Sequence, residues 1–141
     1  MEQFLERAKI ASRVLARLKG DKKREILLGF AEALRGSCSM ILEANKKDME
    51  YGKSVNLSDS MMDRLGLDPD KVESMAKAIE EIAALKEPVG RVLEGWKVEN
   101  GLKIEKVSVP IGVIAIIYES RPNVTSDTAA LCFKSGNVCV L

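Results

Sequence analysis

At 141 residues the chain has the length of one ordinary domain, with 46% hydrophobic and 30% charged residues. That composition excludes disorder and collagen-like repetition, and it suffices for a buried core without staples. There is no histidine, which removes Ser-His-Asp and Cys-His nucleophile arrangements and any zinc site that needs imidazole. A net charge of +1 gives the chain as a whole no electrostatic reason to seek nucleic acid or an anionic membrane.

The charge is uneven. Residues 1–47 carry 11 Lys and Arg against 6 Asp and Glu, and residues 48–99 carry 7 against 12. The basic third holds only two aromatics, Phe4 and Phe30, and no stacking platform, so its densest run, Lys22-Lys23-Arg24, reads as a solvated helix face. The three cysteines, Cys38, Cys132 and Cys139, lack metal-type spacing and sit among small or apolar neighbours, as buried free thiols of a reducing compartment do. The longest apolar run, Val109 to Tyr118, contains Pro110 and Gly112 and falls short of the roughly 18–20 residues of a membrane span. No signal-peptide core opens the chain, and a cytoplasmic location is expected.

The first 87 residues read as helices. Phe4, Leu5, Ala8, Ala11, Leu15 and Leu18 recur at three- and four-residue intervals as one stripe. Gly20 ends that helix and Asp21 is placed to cap the next. Ile26, Leu27, Phe30, Leu34, Cys38, Ile41 and Leu42 then share a face, which predicts one helix through Gly36 to about Ala44. Asn45 followed by Asp48 resembles the capped start of a short helix to about Gly52. Ser58 or Ser60 caps another short helix that stops at Gly66. Asp68-Pro69 is a stronger start signal, N-cap then first helical position, and Val72, Met75, Ala76, Ile79, Ile82 and Ala83 give its stripe, closed by Pro88 and Gly90.

Beyond Gly90 the period changes to two. Trp96 and Val98 alternate with Lys97 and Glu99, and Leu102 and Ile104 with Lys103 and Glu105. Asn100-Gly101 between them is the favoured pair of a tight hairpin turn in which both residues take positive φ. The hairpin, spanning 91–109, is expected to be half-exposed or covered by a partner subunit. Ile111 to Tyr118 barely alternates and predicts a strand buried on both faces of a parallel sheet. A polar loop follows, Glu119 to Asn123, then a helix over 124–135 and a second buried strand from Val138. Strand, helix, strand is a βαβ unit. One parallel pair with open faces and edges is an unfinished sheet, so the expectation is a truncated α/β chain.

In open parallel sheets ligands bind beyond the carboxyl ends of the strands, where the Tyr118–Asn123 loop lies. Asn123 offers an amide donor and Arg121 a forked cation suited to phosphate or carboxylate. The bland alternative is an ordinary turn built on Pro122 and Asn123. Neither G-x-G-x-x-G nor G-x-x-x-x-G-K-[ST] is present.

The run Val109–Asp127 (VPIGVIAIIYESRPNVTSD), then Ala129–Cys132 and Lys134–Asn137, resembles the γ-glutamyl phosphate reductases, also called glutamate-5-semialdehyde dehydrogenases, of the aldehyde dehydrogenase superfamily. The string Tyr118–Thr125 (YESRPNVT) is specific to them. Weaker matches lie at Ile41–Asn45, Lys47-Asp48, Leu57-Ser58, Met62–Leu65 and Pro88–Gly90, so the resemblance covers the whole chain but only the N-terminal part of the longer family protein. It implies an α/β fold: N-terminal helices (1–87), a hairpin serving as an oligomerisation arm (91–109), and the first βαβ unit of a Rossmann-like NADP-binding domain (111–141), the catalytic domain being absent. It implies NADPH-dependent reduction of L-glutamyl 5-phosphate to glutamate 5-semialdehyde and phosphate, in proline synthesis from glutamate, with a cysteine nucleophile outside this chain. Tyr118, Glu119, Ser120 and Arg121 then line the cofactor side of the site, and Asn123 matches the oxyanion-hole asparagine. A homo-oligomer is expected, with glutamate 5-kinase as a candidate partner, no metal, no nucleic acid and no membrane. The alternative from another class is a non-catalytic helical module whose hairpin mediates assembly.

Overall fold

The computed structural model describes residues 2–119 and 121–141. Five helices come first: α1 (Glu2–Leu15), α2 (Gly20–Gly36), α3 (Cys38–Ser54), α4 (Asp59–Leu65) and α5 (Pro69–Ala84). An antiparallel hairpin follows, β1 (Val92–Lys97) and β2 (Lys103–Val107), and then β3 (Val113–Ala115), α6 (Pro122–Lys134) and β4 (Val138–Val140). Among the described residues no helix is long and apolar enough to cross a membrane.

The core lies where α2, α5 and α6 meet. Leu27, Ala31, Ala76, Ile79, Ala83 and Ala130 form one buried cluster. Alanines dominate it, so the helices approach closely, and Leu28, Phe30, Leu34, Ile82 and Phe133 flank the seam. Burying the side chains of Leu27 and Ile79 alone contributes roughly 1.5–3 kcal/mol each. The α4 and α5 starts follow their capping signals. The Ser58 hydroxyl accepts from Met61 N–H, Asp68 Oδ1 accepts from Lys71 N–H at 2.7 Å, and Pro69 opens α5.

Several boundaries differ from the sequence expectation. α2 begins at Gly20, with Lys19 rather than Asp21 at the cap position and no side-chain cap bond. The predicted helix through Ala44 breaks at Ser37, whose N–H bonds the Ala33 and Leu34 carbonyls, and α3 runs from Cys38 to Ser54. Asn45 is not a cap. It lies mid-helix, buried, donating to the Leu65 carbonyl (2.8 Å) and accepting from Leu67 N–H (2.8 Å). Its amide pins the α4–α5 turn, a long-range demand that overrides the local capping pattern. On α1, Ala8 and Leu15 are buried, whereas Phe4 and Leu5 are exposed.

In the hairpin only Gly101 takes positive φ (+88°). Gly101 N–H bonds the Val98 carbonyl and Val98 N–H bonds the Leu102 carbonyl. The connection is therefore the three-residue kind, a turn followed by a left-handed glycine, rather than the two-residue kind in which Asn100 would share that conformation. Trp96 faces Ile104 across the strands, and a register shift falls between Val92 and Glu94.

β3 and β4 pair in parallel, Val113 with Val138 through Ala115 with Val140, and α6 connects them. Asn137 ties their starts together by accepting from Gly112 N–H at 2.8 Å. β3 is shorter than the apolar run and is not buried on both faces. Val113 and Ile114 are half-buried, while Ile111 and Ile117 are exposed. Among the described residues β3 pairs with β4 alone and α1 packs against that pair, without covering Ile111 or Ile117.

Candidate functional site

α6 starts two residues earlier than its pattern suggests, so Pro122 and Asn123 belong to its first turn and not to the loop. Pro suits that position because its missing N–H would be unpaired there anyway. The first turn of α6 faces the α4–α5 corner across a cleft of about 390 Å³. Arg64 and Gly66 come from the end of α4, Lys71 and Ser74 from α5, and Arg121, Asn123 and Asp127 from the α6 side. A helix amino end presents free N–H groups and the positive end of the helix dipole, which favours anionic groups in such a cleft.

The predicted residues fall into two groups. Arg121 and Asn123 both line the cleft. Asn123 is exposed and directs its amide nitrogen toward Asp127 Oδ2 at 3.4 Å, a long contact that a better acceptor can replace. Tyr118 is turned to α6, its hydroxyl 2.6 Å from Thr125 Oγ1. Glu119 stands 3.7 Å from Arg64, an exposed pair of small energetic weight. Ser120 lies outside the described residues. Sequence reasoning gave no role to Arg64, Lys71 or Asp127. Of these, Asp127 alone carried a local signal, one helical turn after Asn123. Its Oδ1 is buried and has no hydrogen-bond partner. Lys71 is occupied, donating to the Asp63 (3.2 Å) and Gly66 (2.8 Å) carbonyls. Among the described residues Arg121 makes no ion pair.

What holds α6 against the body is a buried polar hub at its other end. Lys23 Nζ bonds Glu87 Oε1 at 2.7 Å and lies 3.4 Å from the Lys134 carbonyl, at the carboxyl end of α6. Lys134 Nζ bonds the Ala83 carbonyl at 3.0 Å, at the carboxyl end of α5. Each cation thus meets the negative end of a helix. Lys23 is fully buried, which corrects its reading as part of a solvated basic face. Gly20 belongs to the same arrangement, since a Cβ there would come within 2.8 Å of Glu87 Oε2.

The cysteines stand apart from the cleft. Cys132 is buried and Cys38 and Cys139 are half-buried, all free. Burial pushes the Cys132 thiol up, with the neighbouring Cys139 adding to the shift, the opposite of what an activated nucleophile needs.

No protein-family model matches the chain. The γ-glutamyl phosphate reductase of Sulfurimonas denitrificans is 67% identical over all 141 residues, which amount to 34% of that protein. The Wolinella succinogenes protein of the same name is 60% identical over the same span. Over its whole length the chain resembles the N-terminal third of γ-glutamyl phosphate reductase. The fold agrees. The Thermotoga maritima γ-glutamyl phosphate reductase crystal structure superposes with a TM-score of 0.91 at 42% identity, over 95% of this chain and 32% of that one. The Saccharomyces cerevisiae enzyme does so with 0.92 at 36% identity, over 97% and 35%. The chain thus spans about a third of the length of the relatives it matches. The cleft and the YESRPNVT segment lie within that third.

Proposed function

We propose that the chain is the N-terminal part of an NADPH-dependent reductase of the aldehyde dehydrogenase superfamily. The whole protein would convert L-glutamyl 5-phosphate to L-glutamate 5-semialdehyde and phosphate, in the cytoplasmic synthesis of proline from glutamate. The observation that carries this reading is identity of 67% across the full chain to a γ-glutamyl phosphate reductase. The position of the Tyr118–Asn123 segment supports it, since that segment lies beyond the carboxyl end of β3, where parallel sheets bind ligands.

In this reading a cysteine in the region that the chain does not span attacks the acyl carbon, and phosphate leaves. A bound nicotinamide would supply the hydride that reduces the resulting thioester to the aldehyde, returning the cysteine as thiolate. Asn123 donates its amide N–H to the carbonyl oxygen as charge builds there, and its loose contact with Asp127 leaves that donor free to turn. The residues present suit a nicotinamide cofactor. Ile117 is fully exposed and offers an apolar surface to a ring, and Arg121, which makes no ion pair among the described residues, offers its guanidinium to either an anionic substrate or the cofactor phosphates. Tyr118, Glu119 and Ser120 complete the cofactor-facing segment. Tyr118 does so by fixing the chain against Thr125, and Glu119 by its backbone, because a carboxylate repels phosphate.

Asn123→Ala in the whole enzyme should lower kcat about 10²–10³-fold with NADPH affinity nearly unchanged, because an oxyanion donor acts on charge that exists only in the transition state. Steady-state kinetics with separate fluorescence titration of cofactor tests it. Near-normal turnover would return Asn123 to an ordinary first-turn residue.

The hairpin supports a homo-oligomer as the second element of the reading. Val92, Leu93, Trp96 and Leu102 each keep about half of their surface exposed (55, 54, 49 and 58%), as an arm awaiting a partner does. Trp96→Glu should shift sedimentation of the whole protein toward smaller species, and an unchanged profile would remove the role. A kinase that forms the labile acyl phosphate, glutamate 5-kinase, is the natural partner for supplying this substrate.

A further inference from the structure

We propose that the cleft between the α4–α5 corner and the first turn of α6 binds the amino-acid end of the substrate, with Asp127 accepting from the α-ammonium and Arg121 clasping the α-carboxylate. The inference rests on the acyl-phosphate reading above and assigns the part of the substrate remote from the reacting carbon.

Three observations carry it. Asp127 lines the cleft with one carboxylate oxygen held only by the long Asn123 contact and the other buried without any partner. A carboxylate accepts and never donates; Oδ1 is closed off from the cleft, so a ligand's N–H donor is taken by Oδ2 in place of its long Asn123 contact. Next, of the cleft's three cations, Lys71 is occupied by two backbone carbonyls and Arg64 has the exposed Glu119 carboxylate 3.7 Å away, whereas Arg121 makes no ion pair among the described residues and can turn its guanidinium to a carboxylate. Its planar fork matches a carboxylate bidentately. Finally, the cleft pairs Asp63 and Asp127 with Arg64, Lys71 and Arg121. That near balance of charge suits a zwitterion, whereas a pyrophosphate would meet two carboxylates at close quarters.

Asn123 sits one turn before Asp127 on the same helix face. The residue that reads the ammonium and the donor proposed for the carbonyl oxygen are therefore set at a fixed separation by α6 itself. This gives the helix a measuring role: a substrate whose ammonium engages Asp127 presents its side-chain carbonyl to Asn123.

The test uses the 141-residue chain and two probes, L-glutamate and glutarate, which share both carboxylates and differ in the ammonium. In an ¹⁵N-resolved titration L-glutamate should perturb the Ser74, Asn123 and Asp127 amides and bind at least about tenfold more tightly than glutarate. Asp127→Asn, nearly isosteric, should weaken L-glutamate about tenfold and leave glutarate unchanged. Arg121→Gln should weaken both probes alike, and circular dichroism confirms that both variants stay folded. Equal binding of the two probes, no binding, or an Asp127→Asn variant that binds L-glutamate as the parent does would each overturn the proposal. The reductase reading is judged separately, by NADPH consumption with the acyl phosphate in a whole protein carrying this segment. A chain that discriminates the probes while that protein does not consume NADPH keeps the amino-acid site and rejects the reductase. An active reductase whose Asp127→Asn segment binds L-glutamate normally does the reverse.

Discussion

Leu27, Ala31, Ala76, Ile79 and Ala130 are at most 1% exposed, whereas Val92, Leu93, Trp96 and Leu102 on the hairpin keep about half of their surface and Ile117 beyond β3 keeps all of it. The two regions have similar apolar content and opposite fates. In the α2–α5–α6 body each helix buries a stripe against another helix of the same chain, and even its buried cations find carbonyls and a carboxylate. Among the described residues the strands of the hairpin pair only with each other, and a lone two-stranded hairpin is marginal in water. The body therefore stands on its own packing. The β elements keep apolar surface that nothing among the described residues covers, and the candidate site lies on the border, where α6 of the body meets the segment following β3.

The strongest way to break that comparison is a matched pair of truncations. Leu27→Ala removes a fully buried side chain and should cost about 2–5 kcal/mol. Ile117→Ala removes one that water already surrounds and should fall within about 0.5 kcal/mol. Urea unfolding of the two variants reads both values. Comparable losses would mean that the segment beyond β3 is packed in solution.

Next in size is the polar hub. Glu87→Ala leaves Lys23, with its side chain 1% exposed, buried beside an empty place. Breaking a buried pair costs about 3–5 kcal/mol at most, and the 31% exposure of the Glu87 side chain lowers that figure. The loss should therefore lie between those of Leu27→Ala and Ile117→Ala. Amide exchange should speed up at both helix ends the hub caps, in α5 near Ala83 and in α6 near Lys134. Exchange that changes at neither end would show that Lys23 is satisfied by its carbonyl alone.

The parts of this arrangement that were legible in the sequence are those decided locally. Ser58 or Ser60, of which Ser58 is the cap, and Asp68-Pro69 announced α4 and α5, and Asn100-Gly101 placed the hairpin turn, though in the hairpin Gly101 alone adopts positive φ. Strand, helix, strand read correctly as a parallel unit. What escaped depends on partners far along the chain. Asn45 looked like a cap because its neighbours fit one, but its amide is claimed by the backbone 20 and 22 residues away. Lys23 looked solvated because it stands in a basic run, but Glu87 lies 64 residues on. β3 looked doubly buried because apolar runs usually are, and whether a run is covered depends on neighbours that its own residues do not encode. For the site, the loop and Arg121 were visible as chemistry beyond a strand. The cleft was not, because Arg64, Lys71 and Asp127 come from three separate elements with no shared motif.

The smallest expected effect sharpens the comparison within the body itself, at the rim of the α2–α5 seam. Arg35 forks onto Glu73, with Nε to Oε2 at 2.8 Å and Nη2 to Oε1 at 3.0 Å, and its Nη1 bonds Glu80. The bonds to Arg35 hold both carboxyls below their ordinary value of 4.5 and hold the guanidinium above its own. A carboxyl with a depressed folded-state pKa stabilises the fold above its unfolded value, because the unfolded chain binds protons first. The contribution of this triad should therefore be full at neutral pH and fade as the pH falls below about 4.5, through the lower folded values. All three side chains remain a third or more exposed (33, 41 and 39%), so solvent and salt screen the attraction. The gap in urea midpoint between the parent and a Glu73→Gln, Glu80→Gln variant should be modest at pH 7, close toward pH 3, and narrow in high salt. A gap that persisted at pH 3 would mean that the two side chains act on the seam by packing, and the rim would then belong with the apolar core it borders.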